Sequence, residues 1–147
     1  ANLLDVLLDE RDALASRHGE SRPLLIKLAP DLDPTEIDAT AALLNSRRPD
    51  GVIATNTTID RTPVEDHPMA KEAGGLSGRP VLKRSTDVLR SLRNMLDPSI
   101  RMIGVGGITD TGSAAEKIDA GADLLQVYTG FIYRGPQLIA DSCSAFS

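Results

Sequence analysis

Two hydrophobic periods alternate along the chain. Leu3, Leu4, Leu7, Leu8 and Leu14 recur at helical spacing and fade near His18-Gly19, while Pro23–Leu28 is a short apolar run with the length of a buried strand. Asp33-Pro34-Thr35-Glu36 then opens a helix, with Asp33 as N-cap, Pro34 at the first helical position and Glu36 three residues after the cap. Ile37, Ala41 and Leu44 form its apolar stripe, and Arg48-Pro49-Asp50-Gly51 ends it. Val52 to Thr55 reads as the next strand, and from Asn56 to about Lys83 no period is visible. Ser85 is expected to cap a helix carrying Val88, Leu89, Leu92, Met95 and Leu96 on one face. Ile100 to Val105 is a strand, Thr109 or Asp110 caps a helix through Ile118, and Leu124 to Tyr128 is the last strand before a loop and a helix start at Pro136. Strands and helices alternating at this spacing predict an α/β fold with parallel strands and right-handed crossovers. Four such units make half of a (β/α)8 barrel or a small doubly wound sheet, and both place a ligand at the C-terminal ends of the strands.

The polar residues cluster at those ends. Gly51–Asp60 runs from apolar Val52-Ile53-Ala54 into Thr55-Asn56-Thr57-Thr58, four small side chains that donate and accept hydrogen bonds without charge. Such a tip suits a planar ligand rich in carbonyl and N–H groups, and equally a strand end bonded to its own backbone. Lys27 shares its strand face with Leu25, opposite Ile26 and Leu28, so its ammonium is expected to point into the barrel mouth beside an anionic ligand or electron-rich ring, the alternative being a surface lysine snorkelling at a strand end. Gly104-Val105-Gly106-Gly107 lies between a strand and a helix; the third glycine of a dinucleotide fingerprint would fall at Thr109, so that match fails. What survives is a turn whose backbone N–H groups are free to approach a phosphate, or equally a glycine-rich turn that binds nothing. Gln126–Gly130 ends the next strand, and phosphate sites of (β/α) barrels lie between two such adjacent loops. Gly74–Pro80, with three glycines and Ser77, sits in the long unpatterned segment and fits a cap or phosphate loop. His67, before Pro68, reads as a solvated loop residue. No paired carboxylates, Cys/His metal spacing or Ser–His–Asp set can be assembled, so the pattern is that of a cofactor cradle.

Composition narrows the class. The 147 residues are 41% hydrophobic and 25% charged, with a net charge of −5 and scattered basic residues, which argues against a nucleic-acid partner. No apolar run approaches the roughly 18–20 residues of a membrane span. The single Cys143 excludes an internal disulfide and fits a reducing compartment. Ala1 opens directly inside a helical pattern and Cys143–Ser147 is nondescript, so a longer parent protein is expected.

Five ordered motifs, Lys27–Leu32 (KLAPDL), Ala54–Thr58 (ATNTT), Gly74–Pro80 (GGLSGRP), Ile103–Ile108 (IGVGGI) and Leu125–Pro136 (LQVYTGFIYRGP), resemble the dihydroorotate dehydrogenase family, most closely its class 2, quinone-linked branch. The resemblance implies that residues 1–147 are a single partial domain, the C-terminal half of an FMN-binding (β/α)8 TIM barrel with four parallel strands. It implies an enzyme that oxidises dihydroorotate to orotate in pyrimidine biosynthesis, passing electrons from FMN to a quinone. Carried over by motif, Lys27, Thr55, Gly78, Gly107, Tyr128 and Thr129 would hold FMN, the last three around its phosphate, and Asn56 and Thr57 would bind orotate. The branch's catalytic serine and its quinone-binding helices belong to the N-terminal half, so no catalytic base is expected here and residues 1–147 alone should be inactive. The same resemblance implies peripheral attachment to the cytoplasmic side of a bacterial inner membrane through that missing segment, or to the mitochondrial inner membrane in a eukaryote. Two other readings remain in view: a flavin-free phosphate-binding barrel enzyme such as an isomerase or lyase, and a non-catalytic half-barrel binding module.

Overall fold

The structure, a computed structural model, describes residues 2–146; Ala1 and Ser147 lie outside it. Helix α1 (Asn2–His18) precedes strand β1 (Leu25–Leu28), followed by α2 (Pro34–Arg47), β2 (Gly51–Ala54), α3 (Leu82–Met95), β3 (Arg101–Val105), α4 (Thr111–Asp119), β4 (Leu124–Gln126), α5 (Thr129–Arg134) and α6 (Gln137–Ser144). The four strands are parallel and lie in the order β1-β2-β3-β4. Because each crossover is expected to be right-handed and the order never reverses, the connecting helices fall on one face of the sheet. A doubly wound sheet would reverse order and cover both faces, so the architecture is that of four consecutive units of a (β/α)8 barrel.

Burial across the register agrees. Ile26, Val52 and Met102 align across β1–β3 on the helix-covered face, with Val52 and Met102 fully buried among Leu44, Leu89, Leu92 and Ile100. One residue along, Lys27, Ile53, Ile103 and Leu124 align on the other face, where Lys27 and Leu124 are exposed and the two isoleucines half-exposed. The interior face of the barrel is therefore open, and it leads to the strand tips.

Local chemistry explains the starts of two helices. The Asp33 carboxylate accepts from the Glu36 backbone N–H at 2.9 Å while Glu36 accepts from the Asp33 N–H at 2.9 Å, the predicted reciprocal cap of α2. Asp110 caps α4 in the same way, with Ser113 completing the box, and the Ser113 N–H and hydroxyl hold the Asp110 carboxyl below its ordinary range. The expectation for Ser85 is overturned. Helix α3 begins at Leu82, after a 3-10 turn over Arg79–Val81 that Pro80 initiates, and Ser85 lies one turn inside it, fully buried. Its hydroxyl is 3.0 Å from the Leu82 carbonyl, so it bonds backward along the helix rather than capping its start. The last strand also ends early: Tyr128 flanks the short helix α5, where a loop was expected.

Candidate functional site

The tip of β2 is held from both sides. The Thr55 N–H donates to the Val105 carbonyl of β3 at 3.2 Å and the Asn56 N–H to the Leu28 carbonyl of β1 at 2.6 Å. The Ala54–Thr55 peptide is cis. Beyond it the four polar side chains divide. Asn56 and Thr57 line a cavity, and the Asn56 carboxamide oxygen accepts from the Thr57 N–H at 3.0 Å. Thr58 turns away and is 2% exposed; its hydroxyl donates to Asp31 at 2.5 Å and accepts from the Asp60 N–H at 3.0 Å. Asp31 also accepts from the Ile59 N–H at 3.0 Å and pairs with Arg84 at 3.2 Å, while Arg84 reaches Asp60 at 3.3 Å. Thr58 is thus the bolt that fixes the tip, and Asp31 and Arg84 are the plate behind it.

The same bolt carries the long loop. Thr58 and Leu76 exchange two backbone hydrogen bonds, at 3.1 and 2.8 Å, and Arg61 donates to the carbonyls of Thr58, Glu72 and Gly74. That brings Ser77 and Gly78 over the strand ends, where the Thr129 hydroxyl donates to Ser77 Oγ at 2.9 Å. Gly78, at φ 76°, is buried against Thr129. After β3 the chain turns through Gly106 and Gly107, both at positive φ, and a Cβ on Gly107 would fall 2.4 Å from the Leu82 Cβ.

These segments enclose one cavity of about 270 Å³ at the C-terminal ends of all four strands. Lys27, Thr55, Asn56, Thr57, Gly78, Gly107, Tyr128 and Thr129, the eight residues singled out from the sequence, all line it. Ser77, Gly106, Ile108, Gln126 and Gly130 join them, and no individual role was expected of these five. Each lies inside one of the glycine-loop or strand-tip motifs, which is the signal that could have found them. The lining carries a single cation, Lys27, and no carboxylate. Together with uncharged Thr and Asn side chains and the backbone of the glycine turn, that donor set suits an anionic ligand bearing a polar, uncharged ring. His67 is exposed in a separate surface groove along the loop with Arg61 and Leu76. Among the described residues no helix is long and apolar enough to cross a membrane.

The family model for dihydroorotate dehydrogenase matches residues 3–145. The chain belongs to the dihydroorotate dehydrogenase family. Curated relatives include the dihydroorotate dehydrogenase (quinone) of Nitrosospira multiformis, 54% identical over 95% of this chain and 40% of that protein, and that of Flavobacterium lutescens, 52% identical over the same shares. Among solved structures, dihydroorotate dehydrogenase from Eimeria tenella in complex with ferulenol superposes with a TM-score of 0.88 at 31% identity, covering 99% of this chain and 42% of that one. The ligand-free form from the same organism gives 0.79 at 37% identity, covering 86% and 35%. The chain therefore spans about two fifths of the length of the curated relatives it matches.

Proposed function

We propose that the intact protein oxidises dihydroorotate to orotate in pyrimidine biosynthesis, with FMN bound in the cavity and a quinone as electron acceptor. The observation that carries this reading is the convergence of all eight motif residues on one cavity with one cation and no carboxylate. The names of the curated relatives support the substrate and the acceptor.

The donor set fits FMN. The Gly106-Gly107 turn offers backbone N–H groups to a phosphate, with Tyr128 and Thr129 beside it. Gly78 and Thr55 offer backbone and hydroxyl groups to the ring, and Lys27 supplies positive charge on the open face. FMN, when bound, supplies the acceptor for the substrate's hydride. The Lys27 ammonium favours added negative charge near it, a preorganised electrostatic contribution. Asn56 both donates and accepts, and with the Thr57 hydroxyl it matches the alternating N–H and carbonyl groups of a pyrimidine ring. No lining side chain is a histidine, thiol or carboxylate, and the threonines and asparagine have no tuned pKa to offer. The proton is taken by a base outside residues 1–147, and the open face, where Leu124 stands exposed, is covered by further strand–helix units of the barrel. The quinone site and the contact with the membrane surface belong to a segment preceding this chain.

The test is expression of the full-length protein. It is expected to be yellow, to release FMN on denaturation and to reduce a quinone analogue when supplied with dihydroorotate. A colourless protein that binds sugar phosphates, or a flavoprotein indifferent to dihydroorotate, would overturn the reading. Within it, Asn56→Ala should weaken orotate binding by about 10- to 100-fold, the loss of hydrogen bonds to a buried polar ring, while leaving FMN bound. FMN loss at unchanged orotate affinity would assign Asn56 to the wrong ligand.

A further inference from the structure

Among the described residues, Lys117 is the only charged side chain that is fully buried. It stands on α4 with its Cβ over Gly104 of β3, where an added Cβ would come within 3.1 Å. No ion-pair partner lies within reach among the described residues, and its ammonium donates to Ser85 Oγ at 2.5 Å. Burial pushes the Lys117 pKa down to about 7, with the more distant Glu116 and Asp87 pulling it back up. A lysine in such a place is expensive unless it serves something.

The bond to Ser85 shows where it leads. Having accepted from Lys117, the Ser85 hydroxyl shares its one proton between the carbonyls of Leu82 and Gly106, 3.0 and 3.3 Å away. Gly106 lines the cavity and begins the glycine turn. In a planar trans peptide the carbonyl and the next N–H point in opposite directions. Holding the Gly106 carbonyl toward Ser85 therefore directs the Gly107 N–H away from the helix layer.

We propose that Lys117 is a positioning residue for the phosphate end of the bound flavin, acting through Ser85 on the Gly106–Gly107 turn. The proposal rests on the reading that the cavity takes FMN. Lys117 touches no ligand itself; it orients the peptide that does, and its positive charge beneath the turn favours an anion above it.

The test uses the full-length protein stripped of flavin and titrated with FMN and with riboflavin, which lacks only the phosphate. Lys117→Met is expected to weaken FMN about 10- to 100-fold, the scale of a charge-assisted hydrogen-bond chain, and to change riboflavin affinity less than about 2-fold. Ser85→Ala, which keeps the lysine and removes the link, is expected to lose FMN preference in the same sense. Equal weakening of both flavins would mean a packing defect and would overturn the proposal, as would an unchanged FMN affinity. If Lys117→Met does not fold, Ser85→Ala tests the proposal by the same pair of titrations, with the same outcomes for and against it. A wild-type protein that binds neither flavin brings down the flavin reading and this proposal with it, whereas a wild type that prefers FMN while both variants keep that preference brings down this proposal alone.

Discussion

Alanine at Gly107 is expected to abolish FMN retention and to destabilise the full-length protein by roughly 2–5 kcal/mol, combining about 1–2 for a left-handed residue with about 1–3 for overpacking. Two independent facts set that size. The residue has φ 79°, a region that a side chain makes costly. An added methyl would also lie 2.4 Å from the Leu82 Cβ and 2.6 Å from its Cα, so the obstacle is the first residue of α3 and not a flexible side-chain end. Relief would require moving the turn away from α3, which shifts its N–H groups out of their place in the cavity lining. Gly19 shows the contrast: it has φ 71° but nothing within 4 Å, so a methyl there meets strain alone. Denaturant titration and the flavin released per chain measure the two effects, and a Gly107→Ala protein that keeps its full flavin complement would refute the account.

That turn was legible in the sequence because its signal is local. Gly106-Gly107 between an apolar run and an Asp110 cap declares a strand, a sharp turn and a helix within a few residues. The same holds for the Asp33–Glu36 box and for Thr55–Thr57 at the end of β2, and the ordered strand tips then bring all eight motif residues to one cavity. What the sequence hid depends on partners far along the chain. Thr58 looks like a fourth ligand group beside Thr57, yet its role is decided by Asp31, 27 residues earlier, and by Leu76. Ser85 resembles a helix cap because the 3-10 turn that replaces the cap is built by Arg79-Pro80-Val81. Lys117 is the hardest to read: in Glu116-Lys117-Ile118-Asp119 it looks like an ordinary solvated charge, and only the packing of α4 on Gly104 and Ser85 closes water away from it.

Lys117→Met should stabilise the full-length protein at pH 7, by roughly 1–4 kcal/mol, and this gain should fade as pH rises toward 10. The sign follows from the protons. A lysine whose folded pKa falls from 10.5 to about 7 binds its proton more tightly in the unfolded chain between those two values. The unfolded state then holds more protons, so the stability contributed by this site rises with pH across that window and is lowest below about pH 7, where both states are protonated and the burial cost is complete. A depression of that size is worth about 5 kcal/mol at most, since each unit is about 1.4 kcal/mol. Methionine forgoes the bond to Ser85, which reduces the net gain. Denaturation curves of both proteins at pH 7 and pH 10 measure the difference, and an advantage that is absent at pH 7 or larger at pH 10 would refute it. The same substitution is expected to weaken FMN, so stability and ligand affinity should move in opposite directions. A residue present only to hold the fold together would move them together, and that opposition separates a lysine kept for the phosphate turn from one kept for packing.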